Sequence, residues 1–517
     1  MDWRNLENSQ KLLRLIVSIV GVIISVIVAE VLFNSNINLI AASCMLVSVF
    51  AFSVCVISPK SGVYTLVLVS GYLDFVKRCL IMFGDFSLTD ITMVLIIAPL
   101  MVGALFLSLF TGYAFHRVRF SWLDVGAIFA AFMAVGLGFY ISARDVGVNA
   151  EAIKETINGT CYAFMLPVIT NTFSKPGELT KLFRFAVIVY IPVAVYGIWQ
   201  QIFGLNDFEI AYLQSGFTVT ADILLDVRPR PFSTLNSPTS LAGMTAMMAI
   251  LSLVPMWAKE GQPQTATLKV RCIFLFLLFI AACICSLSRA GSVVWMIGLA
   301  ALYFFETKTR TKIFYGVTIG AFVLLVLLSP FLLDHLGDID LGQYANSDFS
   351  WQALRMGTYA ERLKGYINLT HSTAMWSPFG LSSNELNSEL VYNHDMFSSM
   401  LIYIGFIPMG IIIFICYKAL SFAHGRLLRM PQGDRRSLLM IMIALMYGCI
   451  AVPVLAGAGF MVAFPDNLYF WLFAGSLAML LLKKTEDENP PLEVVQKQPP
   501  ALRRRRTKRP TIVKPVA

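Results

Sequence analysis

Apolar runs of about 20 residues recur from residue 12 to residue 483. No other feature restricts the fold as strongly. A helix needs about 20 apolar residues to cross the hydrocarbon layer. A backbone in lipid must also satisfy its own hydrogen bonds, which favours helices over open sheet. Of the 517 residues, 57% are hydrophobic and only 14% charged; a soluble chain carries about 25% charged residues, so the runs do not read as cores of soluble domains. The expected fold class is an all-α polytopic membrane protein with about fourteen transmembrane helices, twelve to fourteen in range. The spans fall at 13–33, 37–57, 62–83, 90–113, 121–142, 157–173, 184–204, 238–257, 270–288, 291–306, 312–332, 396–417, 437–457 and 465–483. The first is too long and uninterrupted for the apolar part of a signal peptide and is expected to be retained.

Lysine and arginine set the orientation, because cytoplasmic loops keep their excess. With the N-terminus inside, the inner loops hold Lys60, Arg117 and Arg119, then Lys175, Lys181 and Arg184, then Lys259, Lys269 and Arg271. Further along they hold Lys308, Arg310 and Lys312, and Lys418, Arg426, Arg429, Arg435 and Arg436. The first two outer loops hold none. An even number of spans returns the C-terminus to the same side. Both termini are therefore expected in the cytoplasm. The tail, 484–517, combines Pro490, Pro491, Pro499 and Pro500 with a run from Arg503 to Arg509. It reads as disordered and basic, resting on anionic lipid or binding a protein. The net charge of +9 is thus accounted for by topology and tail, and nucleic acid is not expected as a partner. The nine cysteines lie in or beside apolar runs, which suits buried thiols and neither a disulfide framework nor a zinc site.

Two outer loops are long, 205–237 and 333–395. The second precedes the last three spans, and its aromatics, Trp351, Trp376 and Tyr392, argue for order. Positive charge is scarce outside, so each outer arginine invites a reason. Arg289 stands between the ninth and tenth spans in Ser286-Leu287-Ser288-Arg289-Ala290-Gly291. It can clamp a phosphate bidentately, with Ala290 and Gly291 leaving room, or snorkel to the interface. Arg228 and Arg230 alternate with prolines in a segment leading to Asn236, Ser237 and Pro238, where Ser237 or Asn236 can cap the next helix. The two arginines can meet phosphate or lipid headgroups. His394, beside Asn393 at the end of the large loop, can take a proton near neutral pH or serve as a surface cap. In the third span, Asp74, Lys77 and Arg78 are intramembrane charges, functional by default; the four-residue spacing of Asp74 and Arg78 also suits an internal ion pair. Asp338-Ile339-Asp340 has the spacing of a metal-binding pair of sugar-nucleotide transferases, a very short pattern in an acidic loop.

Four stretches together resemble the bacterial O-antigen ligase and polymerase superfamily. VYIPVAVYGIWQQIFG, 189–204, is similar to its span ending in Gln and Gly. RPRPFSTLNSPTSLA, 228–242, is similar to the run that leads into its next helix. SLSRAG, 286–291, resembles its Ser-x-Ser-Arg-Gly junction. Residues 362–410 carry Arg362, Pro378-Phe379-Gly380, Asn393-His394, Gly405 and Gly410, as in its long loop and the span that follows. The chain departs from the pattern with Ala290 in place of a glycine, with Asn before His at 393–394, and with Ser237 between Asn236 and Pro238.

The resemblance implies a GT-C-like glycosyltransferase in the bacterial inner membrane, with a catalytic region over 184–420 between N-terminal helices, 1–183, and C-terminal helices, 421–483. Its donor would be a glycan on polyprenyl pyrophosphate, and its acceptor a glycan, a lipid core or a protein. Arg230, Arg289 and Arg362 would bind the pyrophosphate, with Arg228, Arg78, Lys77 and Asn393 as further candidates. His394 would be the base and Arg289 would act beside it in catalysis. No metal and no cofactor are expected, because arginines would neutralise the leaving group. Two other readings stay open: a transporter or flippase of lipid-linked sugars, which would show a charged pathway and matching halves, and a non-catalytic assembly factor.

Overall fold

The computed structural model describes residues 39–80, 91, 94–114, 122–215, 230–253, 266–306, 309, 312–321, 376–381, 396–431, 433–455 and 464–482. Among these residues every regular element is helical. The first eight helices are α1 (Leu39–Ile57), α2 (Pro59–Cys79), α3 (Ile97–Ala114), α4 (Trp122–Val146), α5 (Ala150–Thr160), α6 (Met165–Thr172), α7 (Pro176–Phe203) and α8 (Asp207–Gln214). Further along come α9 (Pro238–Ser252), α10 (Ala266–Cys285), α11 (Arg289–Phe305), α12 (Met396–Ile404), α13 (Phe406–Arg429), α14 (Asp434–Leu455) and α15 (Asp466–Leu482). The chain divides after Leu482, and the tail lies outside the described residues.

Four helices are long and apolar enough to cross a membrane, over Trp122–Ala143, Pro176–Phe203, Phe406–Arg429 and Asp434–Pro453. Six shorter apolar helices accompany them. The chain is a helical membrane protein. Two expected spans differ in detail. The stretch 157–173 is a composite, with a 3₁₀ turn over Cys161–Phe164 joining α5 to α6. The stretch 396–417 is broken at Gly405, whose φ of 85° ends α12, and α13 then runs on to Arg429.

At the centre lies α9, buried from Ser240 to Ser252. Lipid gives helices no hydrophobic reason to associate, so contact rests on close packing of small residues. Ala242 faces Gly291, where a Cβ would come within 2.5 Å of the Ala242 carbonyl oxygen. Ile250 faces Gly298. The two pairs advance together along the chain, so α9 and α11 run parallel and side by side. α14 packs against α11 in the opposite sense, with Gly448 against Val294 and Gly298 near Ala444. On the far side of α9, α7 brings Gly197 against Leu241, and α2 packs on α7 with Gly71 against Val189.

Candidate functional site

The densest polar cluster among the described residues joins the end of α2 to the segment before α9. Arg78 is 2% exposed, and each of its three guanidinium nitrogens donates. Nη1 donates to Glu209 Oε1 at 3.1 Å, Nη2 donates to the carbonyls of Ser233 (2.6 Å) and Leu235 (3.2 Å), and Nε donates to the Asp74 carbonyl at 3.1 Å. The Phe232 ring covers its face, 4.4 Å from Cζ. Glu209 Oε1 also accepts from Gln200 Nε2 at 2.8 Å, and Oε2 accepts from the Asn206 N–H at 3.1 Å. Gln200 Oε1 in turn accepts the N–H groups of Phe232 and Ser233, at 3.1 and 2.6 Å. A buried ion pair holds only when its remaining donors and acceptors are met; here they are. The carboxylate of Asp74 pairs with Lys77 at 2.8 Å, not with Arg78. The expected ion pair four residues apart is thus replaced by one three residues apart, because Arg78 reaches across to α8.

This cluster fixes an irregular segment. Ser233 has φ 54°, a left-handed conformation that L residues avoid. Its Oγ donates to the Val193 carbonyl at 2.6 Å, and Thr234 Oγ1 donates to the Gly71 carbonyl at 2.6 Å. The segment then enters α9 as expected: Ser237 caps the helix by accepting the Ser240 N–H, with Pro238 in the first turn. Arg230 opens the described part of the segment and is half-buried.

The other positive-φ residue outside glycine, among those described, is Leu287, at φ 53°. It turns the chain between α10 and α11, so both such residues fall in stretches singled out by sequence. Arg289 is the first residue of α11. Because α9 and α11 are parallel neighbours, their N-termini lie together at one end. α15 starts there too, since Ser240 Oγ donates to Asp466 Oδ2 at 2.7 Å and Asn236 Nδ2 donates to the Phe464 carbonyl at 3.0 Å. Helix N-termini carry unpaired N–H groups and partial positive charge. The room beside Gly291 is filled by α9, which makes that glycine a packing residue.

The same end carries one fragment of the large loop. Asn467 Nδ2 donates to the Gly159 carbonyl, Gly138 lies against Thr160, and Tyr140 OH donates to the Phe379 carbonyl at 3.0 Å. The turn Pro378-Phe379-Gly380 thereby meets the helix break at Gly405. Gly380 (φ 78°) and Gly405 (φ 85°) are in direct backbone contact.

Arg228, Arg362, Asn393, His394 and the pair Asp338 and Asp340 lie outside the described residues. The structure brings Arg78, Gln200 and the 230–237 segment into one cluster and sets the start of α11 beside the start of α9. Lys77 and Arg78 are turned to internal partners. Sequence reasoning placed Gln200 only within the 189–204 stretch and did not single out Glu209 or Asp466. Asn206 and Glu209 have the spacing of a capping box, which was the available signal for Glu209. Asp466, 1% exposed, had none. Compared with protein-family models, curated proteins and solved structures, the chain matches none of them.

Proposed function

We propose that this protein is a GT-C-like membrane glycosyltransferase with about fourteen spans, working at the outer face of the bacterial inner membrane. It moves a glycan from polyprenyl pyrophosphate to an acceptor hydroxyl, as an O-antigen or exopolysaccharide ligase or polymerase does. The observation that carries the reading is the pair of parallel neighbours α9 and α11, with Arg289 the first residue of one and Arg230 in the segment leading to the other.

The proposed chemistry draws on the positive charge of these arginines. The acceptor oxygen bonds to the anomeric carbon while the bond from that carbon to the pyrophosphate oxygen breaks. Negative charge grows on the leaving phosphate. Preorganised donors at Arg230, Arg289 and Arg362 stabilise it, together with the helix N-termini. His394 takes the acceptor proton. Holding donor and acceptor in line contributes a large further part of the rate. The clamp at Arg78 keeps the 230–237 segment in place and is not itself a ligand.

The test is to delete the protein and examine polyprenyl-linked glycans. Single repeat units accumulate if it polymerises, and long lipid-linked chains accumulate if it ligates. An unchanged outer pool, with lipid-linked glycan retained on the inner face, overturns the proposal in favour of transport.

A further inference from the structure

The turn over residues 376–381 belongs to a long loop expected outside the membrane, yet its surroundings are those of a buried or lipid-facing segment. Its four central carbonyls, from Ser377 to Gly380, are met from within. The Ser377 carbonyl accepts from the Phe406 N–H at 3.2 Å and the Pro378 carbonyl from the Ile407 N–H at 3.3 Å. The Phe379 carbonyl accepts from Tyr140 OH at 3.0 Å, and the Gly380 carbonyl from Ser377 Oγ at 2.8 Å. The Leu381 N–H donates to the Ile402 carbonyl at 2.8 Å. A turn in water has no need of this, since solvent meets its carbonyls. Irregular backbone at membrane depth does need it.

The side chains point the other way. Trp376 is 67% exposed and Phe379 60%. They stand where α4 and α13 come together, and these two span-length helices are the least buried of the four. Leu381 packs with Leu401, Ile402 and Ile404 in a small apolar cluster to which α4 contributes Leu137 and Ile141. Ser377 and Pro378 are bonded to the first two residues of α13, Phe406 and Ile407, and the exposed apolar side chains of α13 begin at those same residues. The aromatic tip is therefore continuous with the surface that α13 offers to lipid. Internally bonded central carbonyls, exposed aromatics and this continuity are the attributes of an interfacial anchor, where aromatic rings favour the headgroup level.

We propose that residues 376–381 are embedded in the interfacial layer of the bilayer, with Trp376 and Phe379 against lipid, and so tether the large loop to the membrane. The partner is the lipid itself, and the inference does not depend on the transfer reaction.

The full chain is reconstituted in phosphatidylcholine vesicles, and tryptophan emission is compared between wild type and Trp376→Phe; the difference is the emission of Trp376. The expected result is that this component is lost when the acyl chains are brominated and survives aqueous iodide. A component that survives brominated lipid overturns the proposal, whether it responds to iodide or to added oligosaccharide. If Trp376→Phe does not fold, a nitroxide on Phe379→Cys in a cysteine-free chain gives the same decision. Its relaxation should respond to lipid-soluble oxygen; a response to a water-soluble nickel chelate instead overturns the proposal.

Discussion

Arg78 and Glu209 meet at 3.1 Å although 131 positions separate them in sequence. Both are buried, at 2% and 0% exposure. Removing one partner strands the other charge without compensation, which typically costs about 3–5 kcal/mol. Arg78→Ala and Glu209→Ala should each lower thermal stability sharply in detergent. The double variant Arg78→Met with Glu209→Gln should recover a substantial part, because no buried charge is left over. Melting followed by size-exclusion recovery checks this. Single variants that melt like wild type would show that the pair is not the clamp described above.

Gly405 and Gly410 lie five residues apart and should respond in opposite ways. A Cβ on Gly405 would approach the Pro378 carbonyl oxygen to 2.5 Å, in a left-handed backbone. The backbone strain alone costs about 1–3 kcal/mol. Gly410 has open space around its Cβ position and lies within α13, where alanine is favoured by about 0.5–1 kcal/mol. Gly405→Ala should reduce stability and expression, while Gly410→Ala should leave both unchanged or slightly raised. The same melting assay decides it.

Arg289→Lys keeps the charge but loses the planar fork, so a bidentate pyrophosphate contact should weaken. The expected loss is about 10²–10³ in transfer rate. His394→Ala should lose about 10²–10⁴. Lys154→Ala and Lys364→Ala should be near neutral. Rates are compared at matched membrane abundance. A fully active Arg289→Lys refutes the bidentate role; a fully active His394→Ala moves the base to another residue, such as His371 or His335.

Chelation of divalent cations in an assay of purified protein and lipid-linked donor should leave transfer largely intact, since the proposed mechanism assigns the neutralising to arginines. Activity lost to EDTA and restored by Mg²⁺ or Mn²⁺ would shift attention to Asp338 and Asp340.

In a cysteine-free chain, single cysteines at Val148, between α4 and α5, and at Asp434, where α14 starts, should label from opposite sides. A membrane-impermeant reagent added outside should reach only Val148→Cys. Reaction at both positions in sealed cells would refute the proposed orientation, and reaction at Asp434→Cys alone would invert it.

The all-helical membrane class was legible from hydropathy. Starts and stops came out well where chemistry punctuates the run, as at Ser237 and Pro238. The break at Gly405 was not legible, because the apolar run from Met396 to Cys416 continues straight through it and Gly410, in the same run, breaks nothing. What differs is the turn that arrives from residues 376–381, and that is a tertiary fact. The partner of Arg78 was hidden for a related reason: sequence spacing measures neighbours on one helix, and it pointed to Asp74. That Arg78, Gln200, Ser233, Asp466 and Phe379 share an end was legible as sidedness, since Arg78, Gln200 and Asp466 lie near the expected outer ends of spans and Ser233 and Phe379 in the expected outer loops. Their mutual contacts were not.

The burial of α9 has a consequence for biosynthesis. A chain emerges from its N-terminus, so α9 is made before α10, α11, α14 and α15, which later enclose it. Its hydroxyl groups suit that interval. Thr245 Oγ1 donates to the Leu241 carbonyl at 2.6 Å and Ser252 Oγ to the Ala249 carbonyl at 2.7 Å, so both are satisfied within the helix while it waits for neighbours. Ser240 differs from these two, because its acceptor is Asp466 on α15. Among these helices, the last to leave the ribosome supplies the acceptor for Ser240 of the central one.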